Sequence, residues 1–144
     1  MNQGGCVVER IVNYLDMSDD ERNTVLDALI HIGFCPAYGK KKTMQREMDK
    51  SKHGSLSQYL FVLRGSELIG YMFLIGEREG ISRAFPWWAV DNTNEVPLAI
   101  AVEMLQYGIA VCEKSGCCAL ADRLRTQLRN QKDGIGRRAE KNCR

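Results

Sequence analysis

Three side chains stand where proton-transfer chemistry could be done. Tyr71, Glu77 and Glu79 lie on, or just past, an apolar segment that reads as a strand. A phenol or carboxylate there could take the proton of an incoming amine. Each glutamate alone reads better as an ordinary solvated surface carboxylate. Cys35 or Cys118 with His31 or His53 could make a nucleophile and base, but no spacing brings them together. Of the six cysteines, only Cys112, Cys117 and Cys118 are close in sequence, and both histidines are distant from them. The paired-ligand spacing of a structural zinc site is therefore missing, and we expect thiols without metal or disulfide, with Cys112 on a buried helix face. Gln131-Lys132-Asp133-Gly134-Ile135-Gly136 has phosphate-loop spacing, but it follows a helix-like segment and has eight residues after it. A phosphate loop needs a strand before it and a supported helix after it.

The elements that must position these residues are partly legible. Tyr59–Leu63 reads as a strand, Gly65-Ser66-Glu67 as a turn and Leu68–Ile75 as the return strand, which predicts a hairpin over 59–75. Both strands are apolar on both faces, so helices must cover each side of the sheet. Residues 7–15 suit a first strand, and Phe85–Val90 suits a third, with Pro86 at its start, an edge or a bulge. If Trp87 and Trp88 were both exposed on one patch, that patch would serve a homodimer or another partner. Ser18-Asp19-Asp20-Glu21 is a capping box opening a helix with Val25, Leu26, Leu29, Ile30 and Ile32 on its apolar face and Gly33 as its stop. Thr43 can cap a short, polar helix to about Lys50 that should lie on the surface or over a cleft. Asn92-Thr93-Asn94 and Pro97 open a buried helix ending near Lys114, with Leu98, Val102, Leu105, Ile109 and Cys112 on one stripe and Met104 and Tyr107 as core filling. Leu120, Leu124 and Leu128 have helical spacing. The expected class is therefore α+β, a mainly antiparallel mixed sheet centred on the hairpin and flanked by helices. It would form one domain over 1–130, with a basic, flexible tail over 131–144.

Length and composition agree with one core, since 144 residues with 44% hydrophobic and 26% charged side chains match ordinary globular averages. The longest apolar run, Leu68–Ile75, is far below the roughly 20 residues of a membrane span. Met1–Arg10 offers no basic start and apolar stretch for export, so a cytoplasmic protein is expected. Net charge is +2, but residues 119–144 carry eight basic and three acidic side chains, leaving the rest at −3. A second basic cluster, Lys40–Lys42, Arg46, Lys50 and Lys52, is diluted by Glu47 and Asp49. Aromatic interleaving is absent from both, which makes nucleic-acid binding the weakest partner reading.

The order strand, helix, short helix, long hairpin, third strand ending Ala89-Val90-Asp91, loop and buried helix ending Glu113-Lys114-Ser115-Gly116-Cys117 resembles the GNAT superfamily of N-acetyltransferases over roughly residues 7–120. Tyr59-Leu60-Phe61-Val62 and Glu67-Leu68-Ile69-Gly70-Tyr71 look like the family's second and third strands. The resemblance implies acyl transfer from acetyl-CoA to a small-molecule amine, with Tyr71, Glu77 or Glu79 as proton acceptor. It places the pantetheine beside Ala89 and Val90, and the pyrophosphate over the amides of Asn92, Thr93, Asn94 and Val96. The chain departs from the family in two places. Its loop at 91–97 has no glycine, carries Glu95 and ends on Pro97, where the family has a glycine-containing phosphate loop. The family's fifth strand falls near 117–123, where the leucine spacing gives a helix, so the chain would be a truncated or rearranged relative. A non-catalytic GNAT-like module binding a small ligand in the sheet cleft, or a protein partner, is the competing reading.

Overall fold

A computed structural model describes residues 8–31, 41–53, 56–77, 80–88 and 96–142, without the side chains of His53, Glu77, Trp87, Trp88 and residues 131–142. Strand β1 (Glu9–Asn13) leads through a 3-10 turn (Tyr14–Asp16) into α1 (Asp19–His31). Helix α2 (Lys41–Asp49) continues as a 3-10 turn (Lys50–His53), and then β2 (Gln58–Arg64), β3 (Glu67–Glu77) and β4 (Gly80–Trp88) follow as a meander. Helices α3 (Leu98–Lys114) and α4 (Cys118–Asn142) complete the described chain, α4 running past residue 130. The protein is α+β. Its sheet has the order β1-β2-β3-β4, and every pairing is antiparallel.

The predicted hairpin is the centre of that sheet. Tyr59–Leu63 is an unbroken buried run, and its side chains alternate between two cores as the pleat requires. Leu60 and Val62 join Met72 and Leu74 against α3 and α4. Tyr59, Phe61 and Leu63 join Tyr71 and Phe73 against α1 and α2. Val62 pairs with Gly70 and Leu63 with Leu68, which leaves Ile69 as the extra residue of a bulge. Ile69 thereby packs in the α3 core although Tyr71, two residues on, packs in the α1 core. β4 is an edge strand, which is where Pro86 can omit an amide. That strand begins at Gly80, earlier than the apolar run at 85 suggests. Apart from the buried Ile81, its residues 80–84 are polar or small, and their pairing to β3 rather than their own pattern makes them a strand.

The helices follow their local signals in part. Ser18 and Glu21 close the capping box, the Glu21 amide donating to Ser18 Oγ and the Ser18 amide to Glu21 Oε1, each at 3.1 Å. Val25, Leu26 and Leu29 are buried, but Ile30 is 39% exposed and does not join the face. Ile32, Gly33, the turn at 35–39 and the cap at 92–94 lie outside the described residues. α2 starts at Lys41, so Thr43 is inside the helix rather than its cap. Nor is α2 merely superficial: Met44 and Met48, one turn apart, are fully buried over the aromatic face of the sheet. α3 buries Ala101, Met104, Leu105, Gly108, Ile109 and Cys112, while Leu98 and Val102 are only half-buried and Tyr107 is 42% exposed. The small residues explain this rotation. A methyl on Gly108 would sit 2.9 Å from Met72 Cε, so α3 lies directly on β3 there. Arg125 on α4 pairs with Glu113 on α3, and Arg64 Nε donates to Glu9 Oε2 at 2.7 Å, tying β2 to β1 and holding the Glu9 carboxyl below its ordinary range. Among the described residues no helix is long and apolar enough to cross a membrane.

Removing the cap hydroxyl in Ser18→Ala should lower stability by about 1 kcal/mol. Thr24→Ala, which loses only a bond to the Asp20 carbonyl inside the same helix, should change stability by less than about 0.5 kcal/mol. Urea melts of both variants check the pair, and equal losses would remove the capping box as the cause.

Candidate functional site

The residues singled out for chemistry are spread along the sheet rather than gathered. Tyr71 is buried on the α1 and α2 face, stacked on Phe73 with ring centroids 4.6 Å apart. It is in register with Phe61 on β2 and with Trp87 near the end of β4. Glu77 closes β3, paired with Gly80. Six residues of strand separate them, roughly 20 Å at about 3.3 Å each, so they cannot share one proton. Val96 is buried in the α3 core, directly before Pro97. Glu79, Ala89, Val90, Asn92, Thr93 and Asn94, with Glu95, lie outside the described residues, and the burial of the Trp87 and Trp88 side chains does too.

The start of α3 is described from Val96 onward. The Pro97 carbonyl accepts from the Ile100 amide at 3.0 Å and the Ala101 amide at 3.1 Å, and no side chain among the described residues caps the turn. The Leu98 and Ala99 amides therefore have no acceptor inside the helix. Of the cysteine and histidine combinations, Cys118 with His31 is not assembled, while Cys35 and the His53 side chain lie outside the described residues. Cys118 opens α4 on one side of the sheet, and His31 ends α1 on the other. Cys112 is fully buried on the sheet-facing side of α3, as its place in the pattern implied.

Among the described residues three clefts border α2, an open groove of about 560 Å³ along Lys42, Gln45, Arg46, Asp49 and Lys50 and two more enclosed ones. The smaller, about 130 Å³, opens between α1 and α2 and is lined by Asp19, Arg22, Asn23, Leu26, Gln45, Asp49 and Lys52. Beneath it the buried Tyr14 hydroxyl donates to Asp49 Oδ1 at 2.7 Å. Arg22 brackets the same ring, its guanidinium 4.9 Å from the centroid and its Nε donating to the Tyr14 carbonyl at 2.9 Å. Burial first, and then the bond to Asp49, raise the Tyr14 phenol well above its ordinary 10.0. Tyr14 and Asp49 are 35 residues apart, and no periodicity could have joined them.

The second cleft, about 200 Å³, lies where α2 ends and the sheet runs on. Ser57, Tyr59, Ile75 and Gly76 form its sheet wall, Glu47 and Lys50 its helix wall, and Arg83 its rim. The Gly76 amide donates to Ser57 Oγ at 2.9 Å, and a methyl on Gly76 would strike the Leu56 backbone carbon at 2.7 Å, so the wall is tightly set. Lys50 pairs with Glu47 at 2.8 Å, and the Arg83 guanidinium lies 5.7 Å from the Phe85 ring centroid. Glu77 follows Gly76 at this end. The basic cluster near α2 is paired in part, with Lys41 on Asp27 at 2.9 Å and Lys52 on Asp49 at 3.5 Å.

Compared with models of known families, with curated proteins and with solved structures, the chain matches none.

Tyr14→Phe should cost about 1 kcal/mol at pH 7 by removing the bond to Asp49. The phenol is neutral in both states at that pH. Above its ordinary 10.0 the unfolded chain releases the proton while the folded chain keeps it, so the wild type loses stability as pH rises beyond that value. Urea melts at pH 7, 10 and 11 should therefore show a shallower alkaline loss in the variant. A parallel loss in both proteins would mean that Tyr14 is not the titrating group.

Proposed function

We propose that this chain is a GNAT-like module that holds a small polar ligand, an amine or an amino-acid-sized zwitterion, in the cleft of Ser57, Tyr59, Gly76 and Arg83, without catalysing acyl transfer. The observation that carries the reading is the cleft itself. It offers carboxylate, ammonium and guanidinium groups around a hydroxyl and a phenol, in about 200 Å³. Pockets for cofactors and drug-sized ligands run to roughly 300–1,000 Å³, so this one suits a much smaller molecule. A bound carboxylate would face Arg83 and Lys50, and a bound ammonium would face Glu47, each a charge-assisted contact.

N-acyl transfer from acetyl-CoA to an amine is the second reading. The described order of elements through α3 favours it, as does the first turn of that helix, where Leu98 and Ala99 amides would attract phosphate. Two observations favour the non-catalytic reading over it. Helix α4 covers 118–123, where the resemblance places a fifth strand, and Tyr71 sits in the middle of β3, six residues before Glu77 at its end.

Thermal melting separates the two. A ligand at 100 times its dissociation constant stabilises a fold by about 2.7 kcal/mol, a clear rise in melting temperature. Glycine, small amino acids and short alkylamines at millimolar levels should raise that of the wild type and leave Arg83→Gln unmoved for the carboxylate-bearing ones. A shift with acetyl-CoA, accompanied by thiol release when an amine is added, would move the conclusion to acyl transfer. No shift with any of the small molecules would overturn the cleft reading.

A further inference from the structure

The corner between α3 and α4 brings two sulfurs together. α3 ends with Gly116 in the left-handed region at φ +78°, its amide bonded to the Glu113 carbonyl at 3.0 Å, while the Cys117 amide reaches back to the Cys112 carbonyl at 2.8 Å. This is the two-bond Schellman turn, which sets the residue after the glycine against the residue five before it. Those two residues are Cys117 and Cys112. With standard bond lengths a 2.8 Å bond between them keeps their Cα atoms within roughly 6.7 Å, inside the window of about 4.4–6.8 Å that disulfides occupy. Both side chains pack in the same core cluster, Cys112 fully buried and Cys117 half-buried.

Cys117 is also held from its other side. Gly80, at φ +143°, begins β4 against this corner, and a methyl there would lie 2.8 Å from Cys117 Sγ and 2.9 Å from the Ser115 carbonyl. The sulfur is thus confined between the start of β4 and the last turn of α3. Burial, with a smaller contribution from Cys117, raises the Cys112 thiol above its ordinary range, so Cys112 is the reluctant partner and Cys117 the one that meets solvent.

We propose that Cys112 and Cys117 are a reversible redox pair, oxidised by peroxide to an intrachain disulfide that staples the end of α3 to the start of α4. Cys117 sulfur attacks one peroxide oxygen, the O–O bond breaks, and the departing oxygen leaves as water with the thiol proton, giving a sulfenic acid. Cys112 sulfur then attacks the Cys117 sulfur. The S–S bond forms, the S–O bond breaks, and the second water carries away the Cys112 proton. Two electrons pass from the sulfur pair to the peroxide, and two small-molecule thiols return them by exchange. Cys118 is exposed and outside the core cluster, so it is the competing thiol and not the partner.

The test uses the reduced full chain, treated with hydrogen peroxide, quenched, denatured and alkylated. The expected product has lost about 2 Da and leaves two cysteines unalkylated. Trypsin cuts after Lys114 and so separates Cys112 from Cys117, and the two peptides should appear joined. The link should survive in Cys118→Ser, vanish in Cys117→Ser and reverse with dithiothreitol. Persistence of the link in Cys117→Ser would overturn the proposal. So would wild-type oxidation that stops at a sulfenic acid, or that yields only dimers through Cys118. If Cys117→Ser fails to fold, Cys118→Ser decides, because its tryptic peptide from Ser115 carries Cys117 as its one thiol, and loss of the link to the Cys112 peptide there would overturn the proposal.

Discussion

A hairpin that is apolar on both faces dictates the architecture around it. Buried side chains from Tyr59 to Leu63 alternate between two cores, and neither face can be left to water. At about 25 cal/mol per Å² of apolar area, uncovering one face would forfeit more than a small domain's net stability. Two helical layers are thus obligatory. They differ in character because the faces differ. The side toward α1 and α2 is aromatic, with Tyr59, Phe61, Tyr71 and Phe73 in edge and stacked contacts 4.6–5.4 Å apart. It is filled by unbranched methionines, which adapt to irregular ring surfaces. The other side is aliphatic, and α3 approaches it closely through Ala101 and Gly108.

The candidate cleft is a consequence of where that cover stops. α2 tightens into a 3-10 turn at Lys50, while β3 continues to Glu77 and β4 begins at Gly80. The sheet therefore projects beyond its helix, and the gap is lined by the last polar residues of α2 and the first exposed ones of β4. The same boundary forces the polar anchoring at Tyr14. A phenol buried under the α1 and α2 layer needs an acceptor, and Asp49, the last residue of α2, supplies it.

Local signals were legible and distant ones were not. The hairpin, the capping box at Ser18, the stop at Gly116 and the helix from 118 are written within a few residues of themselves, and each is present. The burial of Met44 and Met48, the rotation of α3 toward Ala101 and Gly108, and the strand character of 80–84 depend on what lies opposite, which one sequence does not encode in any short window. The same limit applied to function. Tyr71 and Glu77 belong to one strand, but their separation along it follows from the length of β3, which runs two residues beyond the apolar pattern. Arg83, Ser57 and Gly76 meet only because β2, β3 and β4 are neighbours in the sheet.

Position also tells the two functional readings apart. The end of β4 that faces the start of α3 is where an anionic coenzyme would gain from helix amides, since the positive end of the helix dipole lies there. The cleft lies near the other end of the sheet, toward Gly80, which abuts the carboxyl end of α3 at Ser115. That end is electronegative and would favour an ammonium, but the dipole acts only over the last turn, about 0.3–1 kcal/mol at an exposed site. The cleft is on the opposite face of the sheet, beyond that range. In the proposed ligand-binding reading its preference would therefore be set by Glu47, Lys50 and Arg83 themselves, and two cations against one carboxylate would favour ligands that carry a carboxylate as well as an amine.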